Sequence, residues 1–589
     1  MHPLSRIAMN FLPRRGFHGI AAILFTIATM PAMSQDLKPV TITVHADQGS
    51  QPYNPIWNFF GADEPNFTYA ANGQRLLHEL SALSPVPVYF RPHNLLTTGN
   101  GDGSLKWGST NAYTEKPDGT PVYDWAITDR IFDVLTSAHV RPLVEIGFMP
   151  EALSTHPEPY RHTFPKGEIF TGWAYPPKDY EKWGKLVHAY AEHLRRRYGP
   201  AVDTWLWEIW NEPDIGYWKG TPEEYDHLYD VSANAIRQVL PKARVGGPES
   251  TGVGSDRAEA FLRQFLEHCA HGHNTATGST GAPLDFISFH PKGQPTTVDG
   301  PDGQHVRMGI RTQLRAIDRG LRVVASYPEF HSTPIILGES DPEGCAACKG
   351  PSNAYRNGPL YGVSVAEATM RTYELADKYH LKVEGAVTWA FEFEDQPYFA
   401  GFRELATNGV DKPVLNVFRM MGMLGSGKPG SQWLKTESTG SLSIDEIMQN
   451  GAAGAPDINA TATRSADNNE IDVLVWNYHD DDVTVPETSI ALTVAGLGDS
   501  SRSAQTSSVT VEEFRMDATH SNAYAAWQHM GSPAQPTAEQ QRQLEAAGQL
   551  ERAAASHPVP VRHDNKDGSV TIPLQLPRQG VALIRLRRR

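Results

Sequence analysis

Between residues 55 and 425 the chain alternates short β-branched or aromatic runs with longer amphipathic stretches, the pattern of repeated strand–helix units around a parallel sheet. Eight such runs stand out: Ile56 to Gly61, Val86 to Arg91, Pro142 to Phe148, Thr204 to Trp210, Ala243 to Gly247, Leu284 to His290, Pro334 to Gly338, and Gly385 to Phe391. Eight parallel strands in a region of this size predict a closed (β/α)8 TIM barrel, an α/β fold, over an open doubly wound sheet. The helices between them announce their buried faces. Tyr180, Trp183, Leu186, Val187, Tyr190, Ala191, Leu194 and Tyr198 recur at three and four residues and stop at Gly199-Pro200. Thr221-Pro222-Glu223-Glu224 has the form of a capping box with Pro in the first helical turn.

Past Lys412 the period shortens to two. Ile471 to Trp476, Ser489 to Val494 and Val570 to Leu574 alternate between turns rich in Gly and Ser, which predicts an accessory β-sandwich over 426–589. The early run Val40 to His45, within 35–54, is expected to join that sandwich. A helical insert is expected from Thr537 to Ala555, where Gln, Glu, Arg, Leu and Ala dominate.

The 589 residues exceed one ordinary core, in keeping with a large barrel plus a smaller domain. A formal charge of −15 makes nucleic acid an improbable partner. Residues 1–34 carry Arg6, Arg14 and Arg15, then an apolar run from Gly19 to Met30, then Ala32-Met33-Ser34. This is the layout of a removable signal peptide, with Arg14-Arg15-Gly16-Phe17 allowing a twin-arginine route beside the Sec route. The expectation is therefore an exported protein, periplasmic or extracellular, without a membrane anchor once the leader is removed. In an oxidising compartment Cys345-Ala-Ala-Cys348 is placed to close a small disulfide.

Two acids stand where a barrel puts its chemistry, at the C-terminal ends of strands. In Trp205-Leu-Trp-Glu208-Ile-Trp210-Asn211-Glu212-Pro213 a buried strand runs directly into an Asn-Glu-Pro turn, and Pro213 is expected to push Glu212 toward an extended backbone. Pro334-Ile-Ile-Leu-Gly-Glu339 ends the seventh run with a second acid. Strands four and seven face each other across a barrel mouth, so the pair can flank a bound sugar, one protonating the leaving oxygen and the other attacking or stabilising the anomeric carbon. No strong metal-ligand cluster appears, and this chemistry needs no cofactor.

These motifs resemble the clan A glycoside hydrolases and, in detail, family 39, the β-xylosidases and α-L-iduronidases. Asn211-Glu212-Pro213-Asp214, Val245-Gly-Gly-Pro248, Phe90-Arg91-Pro-His93 and Leu284-Asp285-Phe-Ile-Ser-Phe-His290 carry the likeness, which spans nearly all of the chain beyond the leader. The resemblance implies a retaining exo-glycosidase in which Glu212 is the acid/base and Glu339 the nucleophile. It also implies that Asn211 bonds the sugar 2-hydroxyl, that His93 and His290 contact other hydroxyls, and that Arg91 holds the nucleophile ionised by a charge-assisted hydrogen bond. His290-Pro-Lys292-Gly293 departs from the β-xylosidase pattern, where Tyr is usual at the lysine position, and is similar to the iduronidase branch, where that lysine binds a substrate carboxylate. Arg403 is a candidate second contact to such a carboxylate. The alternative for Lys292 is an ion pair with a protein acid such as Glu392 or Glu394. The resemblance leaves terminal β-D-xylosyl and α-L-iduronosyl substrates both open. An endo-acting glycanase and a non-catalytic carbohydrate-binding protein on the same scaffold remain as alternatives, and the oligomeric state is open.

Overall fold

A computed structural model describes residues 39–300, 303–498, 508–562 and 568–588; the leader-like stretch 1–34 lies outside the described residues. The eight barrel strands are β1 (Phe59–Ala62), β2 (Tyr89–Pro92), β3 (Arg141–Ile146), β4 (Leu206–Ile209), β5 (Arg244–Thr251), β6 (Phe286–His290), β7 (Ile335–Leu337) and β8 (Val383–Thr388). They pair in parallel and close in chain order, β8 against β1. Each overlaps one of the eight apolar runs. The runs are nearly continuously apolar because helices cover the outer face while packed side chains fill the inside.

Two strand ends differ from the sequence reading in ways that matter to the site. The β5 pairing continues to Thr251, past Gly247, through a register shift between Pro248 and Ser250. Such a bulge bends the strand and re-aims a side chain, here that of Glu249. The last barrel strand ends at Thr388, so Trp389 begins the loop above it.

The helix Tyr180–Tyr198 buries Trp183, Leu186, Val187, Tyr190, Ala191 and Leu194 as one stripe and is capped by Asp179, whose side chain accepts from Lys182 N. It ends at Gly199, whose φ of 58° a residue with a Cβ adopts only at a cost. The helix Pro222–Val239 opens with both halves of the Thr221/Glu224 capping box.

Apart from three two-stranded pairs in the loops, the other described strands form one curled nine-stranded sheet, the accessory β-sandwich, in the spatial order Glu551–Pro560, Ser508–Met516, Val581–Arg588, Glu470–Tyr478, Asp457–Arg464, Gln432–Ser438, Val40–Pro52, Thr488–Ala495, Ser569–Leu576. Its two halves close on a shared core that includes Ile42, Val44, Val473, Val475, Ile490, Leu492, Ile584 and Leu586. Val40–Pro52 sits inside this sheet, antiparallel to Gln432–Ser438 and parallel to Thr488–Ala495. The helical insert is shorter than expected. It runs Ala538–Ala547 behind a Thr537/Gln540 capping box, and Glu551–Pro560 is an edge strand paired with Ser508–Met516. Residues 551–555 favour helix by composition, but Gly548 ends the helix and ladder pairing decides the rest. A second short helix, Ala523–His529, had no clear signature.

Barrel and sandwich are joined by a buried charge cluster. Arg371, on the helix Pro359–Tyr379, reaches Glu367 at 2.9 Å on its own helix, Asp457 at 2.8 Å on a sandwich strand, and the Leu442 carbonyl at 2.8 Å. Trp476 donates its indole N–H to Glu367. Removing one partner of such a cluster leaves charge buried without compensation, so Arg371→Met is expected to lower unfolding stability by about 3–5 kcal/mol. Chemical denaturation at neutral pH measures this, and a loss below about 1 kcal/mol would remove the cluster as an anchor of the seam.

Candidate active site

Glu212 and Glu339 meet at the C-terminal mouth of the barrel. Glu212 lies three residues beyond β4 and Glu339 two beyond β7, and with His290 at the end of β6 they bring one oxygen or nitrogen atom each to within 4.8 Å of one another. The Glu212 backbone is not extended. Its φ is 44°, in the left-handed region, with its N–H donated to the Glu249 carbonyl at 2.8 Å. The preference exerted by Pro213 is overridden because that hydrogen bond and the link from Asp214 to Thr251 N, 2.7 Å, tie the loop to the bulged end of β5. Trp210 and Glu249 are also left-handed, φ 70° and 51°. Three non-glycine residues in this region around one mouth mark a backbone held in place by its surroundings.

His290 bridges the acids. Its Nδ1 lies 2.9 Å from Glu212 Oε1 and 3.7 Å from Glu339, while its Nε2 is ion-paired with Glu249. Burial works against its charge, but Glu339, Glu249 and Glu212 prevail and raise its pKa to about 10. The ring is therefore an imidazolium with both nitrogens set against carboxylates. That leaves no lone pair for a cation, although Glu212, His290 and Glu339 converge closely enough to hold one.

Glu339 is nearly sealed, 5% exposed. Burial pushes its pKa up, yet Lys292 and His290 pull it down to about 2, so it stands as a carboxylate. Lys292 Nζ bonds Glu339 directly and reaches Asp341 at 3.4 Å. The acids expected as its alternative partners lie elsewhere: Glu392 accepts from Gly409 N at 2.6 Å and Glu394 from Asn72 N at 3.1 Å. Gly338, just before Glu339, permits the close packing, since a Cβ there would lie 1.7 Å from Glu249 Oε2.

Beneath this surface Arg91 is fully buried. It reaches Glu208 at 2.5 Å, Glu145 at 2.9 Å and Asn211 Oδ1 at 3.1 Å, but Glu339 only at 3.9 Å. Its influence on Glu339 is thus through space, not through the hydrogen bond expected. By accepting from Arg91, the Asn211 amide turns its Nδ2 away, and that buried donor has no partner among the described residues. His93 lies between Asp63 (Nδ1, 3.0 Å) and Arg91 (Nε2, 2.9 Å). Burial lowers its pKa, so it is a neutral ring donating to Asp63 and accepting from Arg91. Both histidines therefore have their nitrogens engaged by protein groups, not free for sugar hydroxyls.

Arg403 is not brought to the mouth. It is fully buried, bonded to the Trp389 carbonyl at 3.0 Å and Glu343 at 2.7 Å, with Asp341 at 3.3 Å. Its place is behind Asp341, which it shares with Lys292.

The sequence reading missed several groups. Glu145 and Glu208 point into the barrel below the site, and Glu249 joins them from the bulge; their signal was an acid inside an apolar strand. Burial drives Glu145 and Glu208 well above the ordinary carboxylate range, whereas Arg91 and His290 overcome burial at Glu249 and hold it below. A protonated Glu208 hydrogen-bonded to an ionised Glu249 accounts for both directions. Asp63, Asp341, Tyr217 and Lys106 were also missed, as was Trp389, whose ring centroid lies 4.2 Å from that of His93. Above these groups opens a cavity of about 460 Å³ lined by Glu212, Tyr217, Lys106, Lys292, Phe164, Ile169 and Cys345, among others. Cys345 is disulfide-bonded to Cys348.

Comparison with known proteins agrees with this architecture. A β-xylosidase of Caldicellulosiruptor saccharolyticus is 26% identical over 449 residues, 74% of this chain and 79% of that protein. The α-L-iduronidase of Homo sapiens is 24% identical over 569 residues, 93% of this chain and 79% of that protein. The crystal structure of a monomeric β-xylosidase from Caulobacter crescentus CB15 superposes with a TM-score of 0.69 at 21% identity, covering 93% of this chain and 99% of that one. The family model for glycosyl hydrolases family 39 matches residues 40–566, and the chain belongs to that family.

Proposed function

We propose that this glycosidase is an exported, retaining, exo-acting enzyme that removes terminal β-D-xylosyl or the stereochemically related α-L-iduronosyl units by double displacement. The observation that carries the reading is the approach of Glu212 and Glu339, with one oxygen of each within 4.8 Å of the other. Inverting enzymes hold their carboxyls about 6.5–9.5 Å apart to admit a water, whereas retaining ones hold them about 5–5.5 Å apart.

The steps follow from the geometry. Glu339, kept ionised by Lys292 and His290, attacks the anomeric carbon as Glu212 gives its proton to the departing oxygen, which leaves a glycosyl ester on Glu339. Glu212, now a carboxylate, takes a proton from water. That water attacks the same carbon and releases Glu339. The unpaired Asn211 Nδ2 supports a donor to the 2-hydroxyl, a contact that strengthens as positive charge develops on the ring. Phe164, Ile169 and the loop at Cys345 wall the cavity, which supports removal of chain ends over cutting within a chain. The basic and apolar leader, residues 1–34, supports export.

Proton NMR of the sugar first released tests the stereochemistry. Retention is expected, and inversion would reject the double displacement. Glu339→Gln is expected to abolish turnover, and Glu212→Gln to lower it by about 10²–10⁴-fold on substrates with poor leaving groups. Full activity in either variant would reject the assignment. The lysine bound to the nucleophile yields a pH prediction. Activity requires ionised Glu339 and is lost as pH falls through its pKa, about 2 in the intact site. Without the Lys292 charge that pKa rises, so in Lys292→Met the acid limb of kcat/KM is expected to move to higher pH by about 1–3 units. An unmoved limb would separate Lys292 from the nucleophile.

A further inference from the structure

The cavity has two ammonium groups, and their circumstances differ. Lys292 Nζ is committed to Glu339 and Asp341. Lys106 Nζ has one hydrogen-bond partner among the described residues, Asp63 Oδ2 at 3.1 Å. A lysine has three N–H donors, so two of those on Lys106 are uncommitted. Its side chain is 12% exposed and lines the same cavity as Glu212, Tyr217 and Lys292. Burial opposes its charge, but Asp63 and Glu339 more than restore it.

The backbone supports the same assignment. Lys106 has a φ of 58°, a conformation that glycine or asparagine takes at lower cost. It is held there from three sides. Ser104 and Trp107 close a turn around it through reciprocal bonds of 3.1 and 2.9 Å. Glu64 accepts its N–H at 2.5 Å, and the His162 ring bonds its carbonyl at 2.9 Å. Asp63 uses it as a counter-cation, since the His93 ring at 3.0 Å is neutral, but that pairing takes only one of its three donors. A strained position that keeps a lysine facing the cavity points to a contact made with the substrate.

We infer that Lys106 is the specificity-determining cation of this site and binds the carboxylate of an acidic sugar, while Lys292 is retained by the nucleophile. The inference rests on the proposed sugar-binding cavity but not on its turnover. Calorimetric titration of the intact protein with D-glucuronate and with D-xylose tests it, using wild type, Lys106→Gly and Lys106→Asn. Both substitutions suit the left-handed turn, and circular dichroism checks that each variant is folded with the charge removed. Wild type is expected to bind glucuronate at least about tenfold more tightly than xylose, the effect of one charge-assisted hydrogen bond. That ratio should collapse toward one in both Lys106 variants and survive in Lys292→Met. Equal affinities in wild type, a preference that outlasts Lys106, or one lost with Lys292 instead would overturn the assignment. Hydrolysis of aryl glycosides is measured separately, so that a glucuronate preference without turnover would reject the catalytic proposal and leave Lys106 in place.

Discussion

A guanidinium with no exposure to water organises the barrel mouth. Stripping Arg91 of solvent is expensive, and the cost is offset only because Glu208, Glu145 and Glu249 surround it from three neighbouring strands. Three carboxylates around one arginine would leave excess negative charge in a dry place. The structure meets this by keeping Glu145 and Glu208 neutral and Glu249 ionised, with His290 as the second cation. The result is a nearly balanced layer that binds β2, β3, β4 and β5 to one another and fixes Asn211 by a direct hydrogen bond.

From that layer the two upper carboxyls acquire different surroundings. Glu339 has Lys292 against it, His290 beside it and Arg91 below, so its ionised form is favoured despite burial. Glu212 touches one cationic ring and is more open, its side chain 12% exposed against 7% for Glu339. A carboxyl that must exchange a proton twice per cycle benefits from the wetter position, and one that must attack as an anion benefits from the dry, positively flanked one. The left-handed backbone at Trp210, Glu212 and Glu249 belongs to the same arrangement. Each peptide is held at a disfavoured φ by partners on the adjoining strand end, which limits how far Glu212 can drift from His290.

The fold was legible where burial imposes a period. All eight barrel strands were visible because each is buried in a largely apolar run, and the helix Tyr180–Tyr198 because its stripe is unbroken. The paired acids were legible for a related reason, as a charge directly following a buried strand has few structural uses. Inferences about contacts fared worse. Arg91, His93, His290 and Lys292 all belong to the site, but sequence order does not reveal that protein carboxylates already occupy both histidines and the lysine. Arg403 was misplaced because its position in the loop is set by bonds to the Trp389 carbonyl and Glu343, which leave no mark in the local sequence.

Lys106 shows why the remainder was hidden. Nothing in Ser104-Leu-Lys-Trp107 has a period, and the residue enters the site through a turn whose shape depends on Glu64 and His162, far away in sequence. Positive φ at a lysine leaves no mark in composition. A buried strand can be predicted because many weak preferences agree along it, whereas a pocket loop is set by a few long-range hydrogen bonds that overrule local preference. Differences in substrate among enzymes sharing this barrel are therefore to be sought in such loops. The strands supply an electrostatic layer that works for any glycoside of suitable shape, and the loops determine which charges remain free to meet it.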